Sequence, residues 1–558
     1  MLSVALIWIY MFPLCFIMGF SFIKLIGKAE KYVCRNFESY ILAGLGIITV
    51  YSEIFSLFYK VGFWANVGLI ILALSMFICM RKDILNYIKS FFKEIKYYHI
   101  AIGILLFLIF AYGASYGYIH YDTDLYHAQS IHWIEDYGVV KGLGNIHTRL
   151  AYNSAAFCLT ALFSMSVLGL GSFHVCAGFL ALNVAFLCTR LFSKKSGFKP
   201  CLSNAVRILA IYYILIIFDE MVSPESDYFM VLSVLALVIL FLEELESDTS
   251  NQFALCLLSV FTMIIVSFKV SGSLIVLLTL YPLYFLIKDK DIRSIIKYVL
   301  CGFIFVAPFL IRSIVLSGYL VYPIASIDIF NFDFKIPHDI AVFDNAEIKV
   351  YGRGYLDISR ANEPITAWIG DWFRSLGTVN KASFLMAIAS FILLAVYLVI
   401  AFVKKDKENY KYLFVIVVSA VSFAGFILTS PNIRYGCIFL WLFPLLSLGY
   451  FYMNMIIKID KGVIFKVCVS LFLVYKMVAF SYELASSFNT EHLIAQQEYG
   501  SYELSTFDMN GYTFYVPVEG DRTGYNSFPA VPYDKGAELI TDDIKDGFRS
   551  RMSDGPLE

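Results

Sequence analysis

The apolar run HIAIGILLFLIFAYGASYG at residues 99–117 is followed closely by the polar stretch YDTDLYHAQSIHWIEDYGVVKGLGNIHTRLAYN at residues 121–153. The apolar run has the length of a transmembrane helix, which needs about 20 residues to cross the hydrocarbon layer. The polar stretch carries acidic, basic and histidine side chains, which are costly inside a bilayer and concentrate at functional sites. The sequence therefore predicts a polar segment held at a membrane face.

The composition of the whole chain is that of a polytopic membrane protein. Hydrophobic residues make up 59% of the 558 residues and charged residues only 16%, whereas charged residues are about a quarter of a soluble domain. Most of the 11 cysteines lie in apolar runs, so we expect neither a disulfide framework nor a cysteine metal site. The N-terminal apolar run lacks a basic leader and is expected to be a retained span. We expect membrane lipid as a partner, and no nucleic acid.

Apolar runs of spanning length recur along the chain and predict an all-α bundle of about fourteen transmembrane helices. Lysine and arginine concentrate in segments 24–35, 81–96, 190–207, 288–297 and 404–411, which should face the cytoplasm. The predicted spans lie near residues 2–23, 38–59, 61–80, 99–117, 173–190, 203–218, 227–243, 253–268, 271–287, 295–315, 383–403, 411–429, 437–456 and 463–481.

Each span reverses the side of the membrane, and the basic segments all face inward only if the apolar run 155–169 does not cross. We therefore expect that run to form a helix in the outer interface, and both termini to lie outside. Segments 118–172, 219–226, 316–382 and 430–436 should also lie outside. The transmembrane domain would comprise residues 1–482, with 118–172 as the catalytic loop and 316–382 as a long outer loop. Residues 483–558 would form a small outer segment with a strand at Tyr512–Val516.

Asp122 opens a segment with helical periodicity, because Leu125, Ala128, Ile131 and Ile134 recur three residues apart. An amphipathic helix on the outer interface is expected. Asp122 could be only a helix N-cap, with Asp124 favoured by the helix dipole. An acid at this depth is also suited to deprotonate a hydroxyl or to hold a divalent cation such as Mg²⁺ or Mn²⁺.

A second acidic group, Glu225 and Asp227, stands at the start of a later span. Ser223 and Pro224 before it are typical of an ordinary helix N-terminus, so this group alone is uninformative. The predicted topology brings it to the same face as Asp122.

Basic residues at the outer ends of spans oppose the usual inward bias. They could snorkel to the interface, or they could converge with the acids on an anionic membrane-bound ligand such as a lipid phosphate. The residues are Lys269, Arg312, Arg353 and Arg434. We expect substrate contacts from His127, His132, Asn153 and Tyr322.

The segments YDTDLYHAQSIHWIEDYGVVKGLGNIHTRLAYNS, SFKVSGSLIVLL, SGYLVYP and SPNIRYG resemble the GT-C superfamily of polyprenol-dependent glycosyltransferases, within a family of bacterial multi-span proteins. The resemblance implies a GT-C-like fold and an inverting transferase that uses a polyprenyl-phosphate-linked sugar on the outer face of the cytoplasmic membrane. It implies Asp122 as the base. It implies Asp124, Glu225 or Asp227 as a second acid or metal ligand, and Arg434, helped by Lys269 or Arg312, as the lipid-phosphate site.

Three other functions stay open at this point. A transporter or flippase of lipid-linked saccharides would need ionisable residues near the middle of the bilayer, whereas the acids here cluster at one face. A polysaccharide polymerase or ligase would use the same class of lipid-linked sugar. A non-catalytic assembly partner is the third alternative. The acceptor could be a glycan, a lipid or a protein.

Overall fold

The computed structural model describes residues 1–27, 32–34, 36–193, 198–249, 251–404, 409–454 and 460–551. Parts of the basic segments 24–35, 190–207 and 404–411, and the end of the C-terminal segment, lie outside the described residues. The helices are α1 Leu2–Ile26, α2 Phe37–Ser56, α3 Phe63–Glu94, α4 Tyr97–Gly113, α5 Ala128–Asp136, α6 Ala155–Phe163, α7 Cys176–Cys188, α8 Leu202–Ile216, α9 Ser226–Glu246, α10 Gln252–Phe268, α11 Leu280–Lys288, α12 Ile292–Ser317, α13 His338–Gly352, α14 Ile365–Ser375, α15 Thr378–Lys404, α16 Tyr410–Leu428, α17 Ile433–Asn454 and α18 Lys461–Ser486.

Within these described ranges, 10 helical stretches are long and apolar enough to cross a membrane. They are α1, α2, α3, α9, Val270–Lys288, α12, Thr378–Val403, α16, α17 and α18. Shorter apolar helices occupy Tyr97–Gly113, Ala155–Leu168, Cys176–Phe192, Leu202–Ile216 and Gln252–Phe268. The prediction of an all-α polytopic membrane protein is confirmed. Helix length and composition do not confirm the count of about fourteen.

The start of α1 and the chain that follows α18 meet at one end of the bundle, which we call the loop end. The backbone N–H of Leu2 donates to the carbonyl of Leu493 at 2.9 Å, and that of Ser3 donates to Ile494 at 3.0 Å. These bonds satisfy donors in the first turn of α1 that have no partner within the helix. The segment after α4 joins them, because Gln497 N–H donates to the carbonyl of Ser115 at 2.8 Å.

The long segment between α12 and α15 also lies at the loop end. Asn145 Nδ2 donates to the carbonyl of Phe334 at 2.8 Å, and the Tyr152 hydroxyl donates to Asp344 Oδ1 at 2.6 Å. Trp372 Nε1 donates to the carbonyl of Pro431 at 2.8 Å. The segments that parity assigns to the outer side therefore contact one another.

Described parts of the basic segments meet at the opposite end, the basic end. Glu243 on α9 accepts from Asn36 Nδ2 at 3.0 Å and from Arg190 at 2.9 Å. Lys297 Nζ donates to the carbonyl of Ile26 at 2.9 Å. The grouping of loops predicted from their charge agrees with these contacts.

Helix α6 differs from the expected interfacial helix. All nine of its residues are buried, and it packs against α2 and α5 inside the loop end. Its flanks stay there, since Ser154 Oγ donates to the carbonyl of Phe268 and Ser172 Oγ donates to Glu135. The reason lies in its sequence AAFCLTALF. This sequence has no polar face that would contact water, and its small alanine side chains allow neighbouring helices to pack closely.

The C-terminal segment folds over residues 121–136. Strands β1 Leu504–Met509 and β2 Tyr512–Pro517 pair antiparallel, and β3 Ala537–Leu539 pairs with β4 Phe548–Ser550. The predicted strand at 512–516 is confirmed. Gln129 on α5 donates to the carbonyls of Gly524 and Ser527, each at 2.9 Å, and accepts from Ala530 N–H at 3.0 Å. The segment is thus part of the packed structure at the loop end.

Helices α1 and α2 approach each other at two glycines. A Cβ atom at Gly44 would collide with the carbonyl of Cys15, and one at Gly19 would collide with the carbonyl of Tyr40. Small residues at such crossings are what allow helix backbones to pack closely within a membrane. The hairpin of α1 and α2 therefore depends on the absence of these two side chains.

We expect Gly44→Ala to lower the midpoint of thermal unfolding in detergent, because overpacking of this kind costs about 1–3 kcal/mol. The matched control is Gly103→Ala on α4, where a Cβ meets nothing within 4 Å and alanine favours the helix by about 1 kcal/mol. A midpoint for Gly44→Ala that is no lower than that of the wild type would contradict the close crossing.

His147, which packs against the C-terminal segment, makes the stability of the folded protein depend on pH. Its ring is buried and packs edge-on against Tyr533 with centroids 5.9 Å apart, and its Nδ1 has no hydrogen-bond partner among the described residues. Burial, then the charges of Arg149 and Lys535, lower the pKa of His147 to about 3. The folded protein therefore holds a neutral imidazole here.

Between pH 6.5 and about 3 the unfolded chain binds a proton at His147 that the folded protein excludes, so the free energy of unfolding falls as pH falls in this window. One group contributes about 2 kcal/mol of this loss at pH 5. We expect His147→Phe to reduce the loss of thermal stability between pH 7 and pH 5. An identical pH dependence in wild type and variant would contradict this account.

Candidate functional site

Residues 121–136 form a helix interrupted by one wide turn. The turn Thr123–His127 is π-helical and leads into α5. The predicted apolar face is confirmed, since Leu125, Ala128, Ile131 and Ile134 are buried. The opposite face is also covered, because the C-terminal segment packs on it. π-Helical turns inside longer helices occur often at functional sites, and this one determines where the two aspartates point.

Asp122 lies between two arginines. Arg434 Nη2 donates to Asp122 Oδ2, and Arg149 Nη1 lies 3.7 Å from Oδ1. Arg434 is the second residue of α17, and Arg149 belongs to the short 3₁₀ turn Thr148–Ala151. The Asp122 side chain is 13% exposed. A carboxylate so enclosed is stabilised by its cationic partners and remains accessible at one edge.

A second carboxylate, that of Asp227, is almost fully buried in the first turn of α9. Lys269 Nζ donates to its Oδ1, and Arg434 Nε lies 3.5 Å from its Oδ2. Lys269 Nζ also lies 4.5 Å from the centre of the Tyr435 ring. Arg434 therefore bridges two carboxylates that come from distant parts of the chain.

Glu225 and His127 are both buried and face each other. Glu225 Oε1 lies 3.3 Å from His127 Nδ1, and the Thr123 hydroxyl donates to the same oxygen at 3.4 Å. Burial raises the pKa of Glu225, but the charge and hydrogen bond of His127 and the charge of Arg434 outweigh burial and lower it. A carboxylate held in this way stays ionised. We define Asp122, Arg149, Glu225, Asp227, Lys269 and Arg434 as the charge cluster.

Asp124 lies outside the charge cluster. Its Oδ1 accepts from Gly500 N–H at 3.0 Å and its Oδ2 accepts from the Tyr502 hydroxyl at 2.7 Å. Burial raises the pKa of Asp124, and these two hydrogen bonds oppose the rise. Asp124 therefore anchors the C-terminal segment.

The predicted acidic pair does not fit a shared divalent cation. Asp122 faces two guanidinium groups, while both oxygens of Asp124 already accept hydrogen bonds from the C-terminal segment. Across the part of the chain that the structure describes, no group of three or more His, Cys, Asp or Glu side chains could hold a metal ion. The donor set at Asp122 suits an anionic ligand.

Arg312 and Asn153 also lie apart from the cluster and bind each other. Arg312 Nε donates to Asn153 Oδ1 at 3.3 Å, and Asn153 Nδ2 donates to the carbonyl of Phe309 at 2.7 Å. Arg312 Nη1 donates to the Ser56 hydroxyl. These contacts tie α12 to α2 and to the end of the polar stretch, which is a packing role.

The two remaining expected substrate contacts occupy different places. His132 is sandwiched between the rings of Tyr525 and Phe528, with centroids 4.2 and 4.0 Å away. Tyr322 is buried near Tyr152, whose ring centroid lies 6.0 Å away. Of the four residues expected to contact substrate, only His127 packs directly against a member of the charge cluster.

Two neighbours of Asp122 and Arg434 had no role assigned from the sequence. Arg149 lies within the polar stretch quoted above but is separated from Asp122 by 27 residues. Tyr435 follows Arg434 directly and carries the contact with Lys269. A turn of the chain, and not a regular sequence spacing, brings Arg149 to Asp122. Only the position of Arg149 in the polar stretch could therefore have indicated its role.

The charge cluster contains side chains of the kind that bind phosphate groups. It places three cationic side chains among three carboxylates at the loop end, and guanidinium groups bind carboxylate and phosphate with similar geometry. An incoming phosphate would compete with Asp122 for Arg434. Such exchange would leave a free carboxylate beside a bound anion.

The comparisons with known proteins give a family and no named relative. No curated protein matches the chain. No solved structure matches it either. One family model, described as a domain of unknown function (DUF8201), matches residues 1–441, which include every member of the charge cluster. The chain belongs to the DUF8201 family.

Proposed function

We propose that this protein is a membrane glycosyltransferase that moves a sugar from a polyprenyl-phosphate-linked donor to an acceptor hydroxyl, with inversion at the anomeric carbon. The supporting observation is the bridge of Arg434 between Asp122 and Asp227, with Lys269 on the far side of Asp227. It combines a carboxylate base and cations for a phosphate at the end of an apolar bundle. These are the two functions that a single displacement requires.

In the proposed reaction, the donor phosphate takes the place of Asp122 on the Arg434 guanidinium. The freed Asp122 carboxylate accepts the proton of the acceptor hydroxyl as its oxygen attacks the anomeric carbon. The bond between that carbon and the phosphate oxygen breaks, and the electron pair remains on the lipid phosphate. Arg434 and Lys269 stabilise this charge as it develops. The step needs one base, and no covalent sugar–enzyme intermediate is formed.

The proposed function also implies a membrane topology. We propose about fourteen crossings of the cytoplasmic membrane, with the charge cluster on the outer face. The 13-residue α7 supports this count, because His174 before it binds Gln496 at the loop end and Arg190 after it binds Glu243 at the basic end. Helix α10 likewise connects the two ends, because Asn251 before it donates to Glu244 beside Glu243 and Lys269 after it donates to Asp227. Helix α8 does so too, because Ser203 at its start donates to Glu246 and Asp219 after it accepts from Tyr118 N–H. The GT-C-like arrangement remains part of this proposal.

We expect Asp122→Asn to reduce release of polyprenyl phosphate by about 10²- to 10⁴-fold, the usual contribution of a general base. The assay uses purified protein in nanodiscs, a panel of polyprenyl-phosphate hexoses and a cell-envelope extract as the source of acceptor. The matched control is Asp333→Asn, an exposed residue of the long outer segment.

Unchanged release by the Asp122 variant would exclude it as the base. Movement of the intact lipid-linked sugar across the membrane, with no release of lipid phosphate, would favour a transporter instead.

We expect Arg434→Lys and Arg434→Gln to weaken binding of polyprenyl phosphate, because lysine retains the charge without the two-pronged geometry and glutamine retains neither. The measurement is the rise in thermal midpoint on adding polyprenyl phosphate, which reports preferential binding to the folded state. The rise should decrease from wild type to lysine to glutamine. Arg374→Gln, at an exposed arginine paired with Asp371, is the control. Equal rises in all four proteins would exclude a phosphate site at Arg434.

A further inference from the structure

A cavity opens at the loop end, at the far end of the segment that begins with Asp122. Its volume is about 400 Å³, and it lies between the turn joining α2 to α3, the end of α5 and the docked C-terminal segment. Asp122 and Asp136 are 14 residues apart on a nearly continuous helix, which separates the two places by about 20 Å. The cavity is therefore distinct from the charge cluster.

Aromatic rings line much of this cavity. Tyr59, Phe63 and Trp64 line it from the membrane domain, and Tyr525 lines it from the C-terminal segment. The first three are exposed, with 58% of Trp64 accessible. Tyr525 is held in place, because it stacks on His132 and its hydroxyl donates to Glu135. A ligand would meet flat ring faces on a fixed support.

Polar groups also line the cavity. Asp136, Glu135, His132, Ser166 and Lys60 line the cavity. The pKa of Asp136 is lowered, mainly by its hydrogen bond to His132, so the carboxylate is ionised at neutral pH. The ionised Asp136 offsets the charge of Lys60, so the lining offers no excess of positive charge to an anionic phosphate headgroup, and its polar groups make an unfavourable site for an acyl chain.

We propose that this cavity binds a neutral oligosaccharide. Ring faces that stack on sugar rings, together with a carboxylate that accepts hydrogen bonds from hydroxyl groups, are the chemistry that recognises such a ligand. An interfacial aromatic belt accounts for Phe63 and Trp64, but it does not account for Asp136 in the same cavity. Use of the cavity for the glycan acceptor rests on the proposed transferase function, whereas glycan binding itself does not.

The test is binding of the purified full-length protein in nanodiscs to an array of neutral glycans, followed by titration with the best binder. Sugar transfer is not measured, so failure of the transferase proposal leaves the result unaffected. We expect Trp64→Ala to weaken binding at least tenfold and Asp136→Asn to weaken it several-fold. Phe58→Ala is the matched control, because Phe58 lies in the same turn, is 84% exposed and does not line the cavity.

Three results would overturn the proposal. One is the absence of binding to every neutral glycan on the array. Another is an equal reduction of glycan binding by Trp64→Ala and Phe58→Ala. The third is the loss of glycan binding when vesicles of phosphatidylglycerol are added. Thermal midpoints of the variants, measured without ligand, show that reduced binding does not come from unfolding.

Discussion

The bridge of Arg434 between Asp122 and Asp227 constrains how the loop end is assembled. A charge removed from water without a partner costs several kcal/mol, so each of these side chains requires the others to be in place. Arg434 stands 312 residues from Asp122 along the chain, at the start of α17, while Asp227 stands at the start of α9. The ends of these helices and the π-helical turn after Asp122 must therefore meet within hydrogen-bond distance. Lys269 extends the constraint to the end of α10.

The C-terminal segment depends on the same turn from its other side. Because the π turn directs Asp122 toward Arg434 and Asp124 toward Gly500 and Tyr502, one short segment connects the charge cluster to the docked segment. The carbonyl of Asp124 also accepts from the N–H groups of Thr523 and Gly524, at 2.8 and 2.9 Å. A shift of this turn would disturb both sets of contacts, so the position of the C-terminal segment and the geometry at Asp122 are mechanically linked.

Hydropathy and charge were sufficient to predict an all-α polytopic membrane protein and to bring Asp122, Asp227, Lys269 and Arg434 to one end, because parity decides which loops share a face. They were insufficient for individual side chains. Asp122 and Asp124 were predicted as a pair, yet residues two apart on a helix do not face each other. Arg312 was predicted with the cluster, but its neighbours on α2 follow from helix packing, which periodicity does not specify. His132 was predicted as a substrate contact, and only the fold of the distant C-terminal segment covers it.

The pairing of Asp122 with Arg434 also bears on how a reaction at this site could be controlled. Oδ2 of Asp122 already accepts a hydrogen bond from Arg434, so this oxygen is not free to meet an acceptor hydroxyl. Only a ligand that competes for Arg434 would release Asp122, and a phosphate can do so whereas a neutral sugar cannot. Asp227 would keep Lys269 in position during this exchange and so hold a second cation near the leaving phosphate. Under the proposed mechanism, donor binding and base activation are therefore one event, and an acceptor hydroxyl that arrives alone meets an inactive carboxylate.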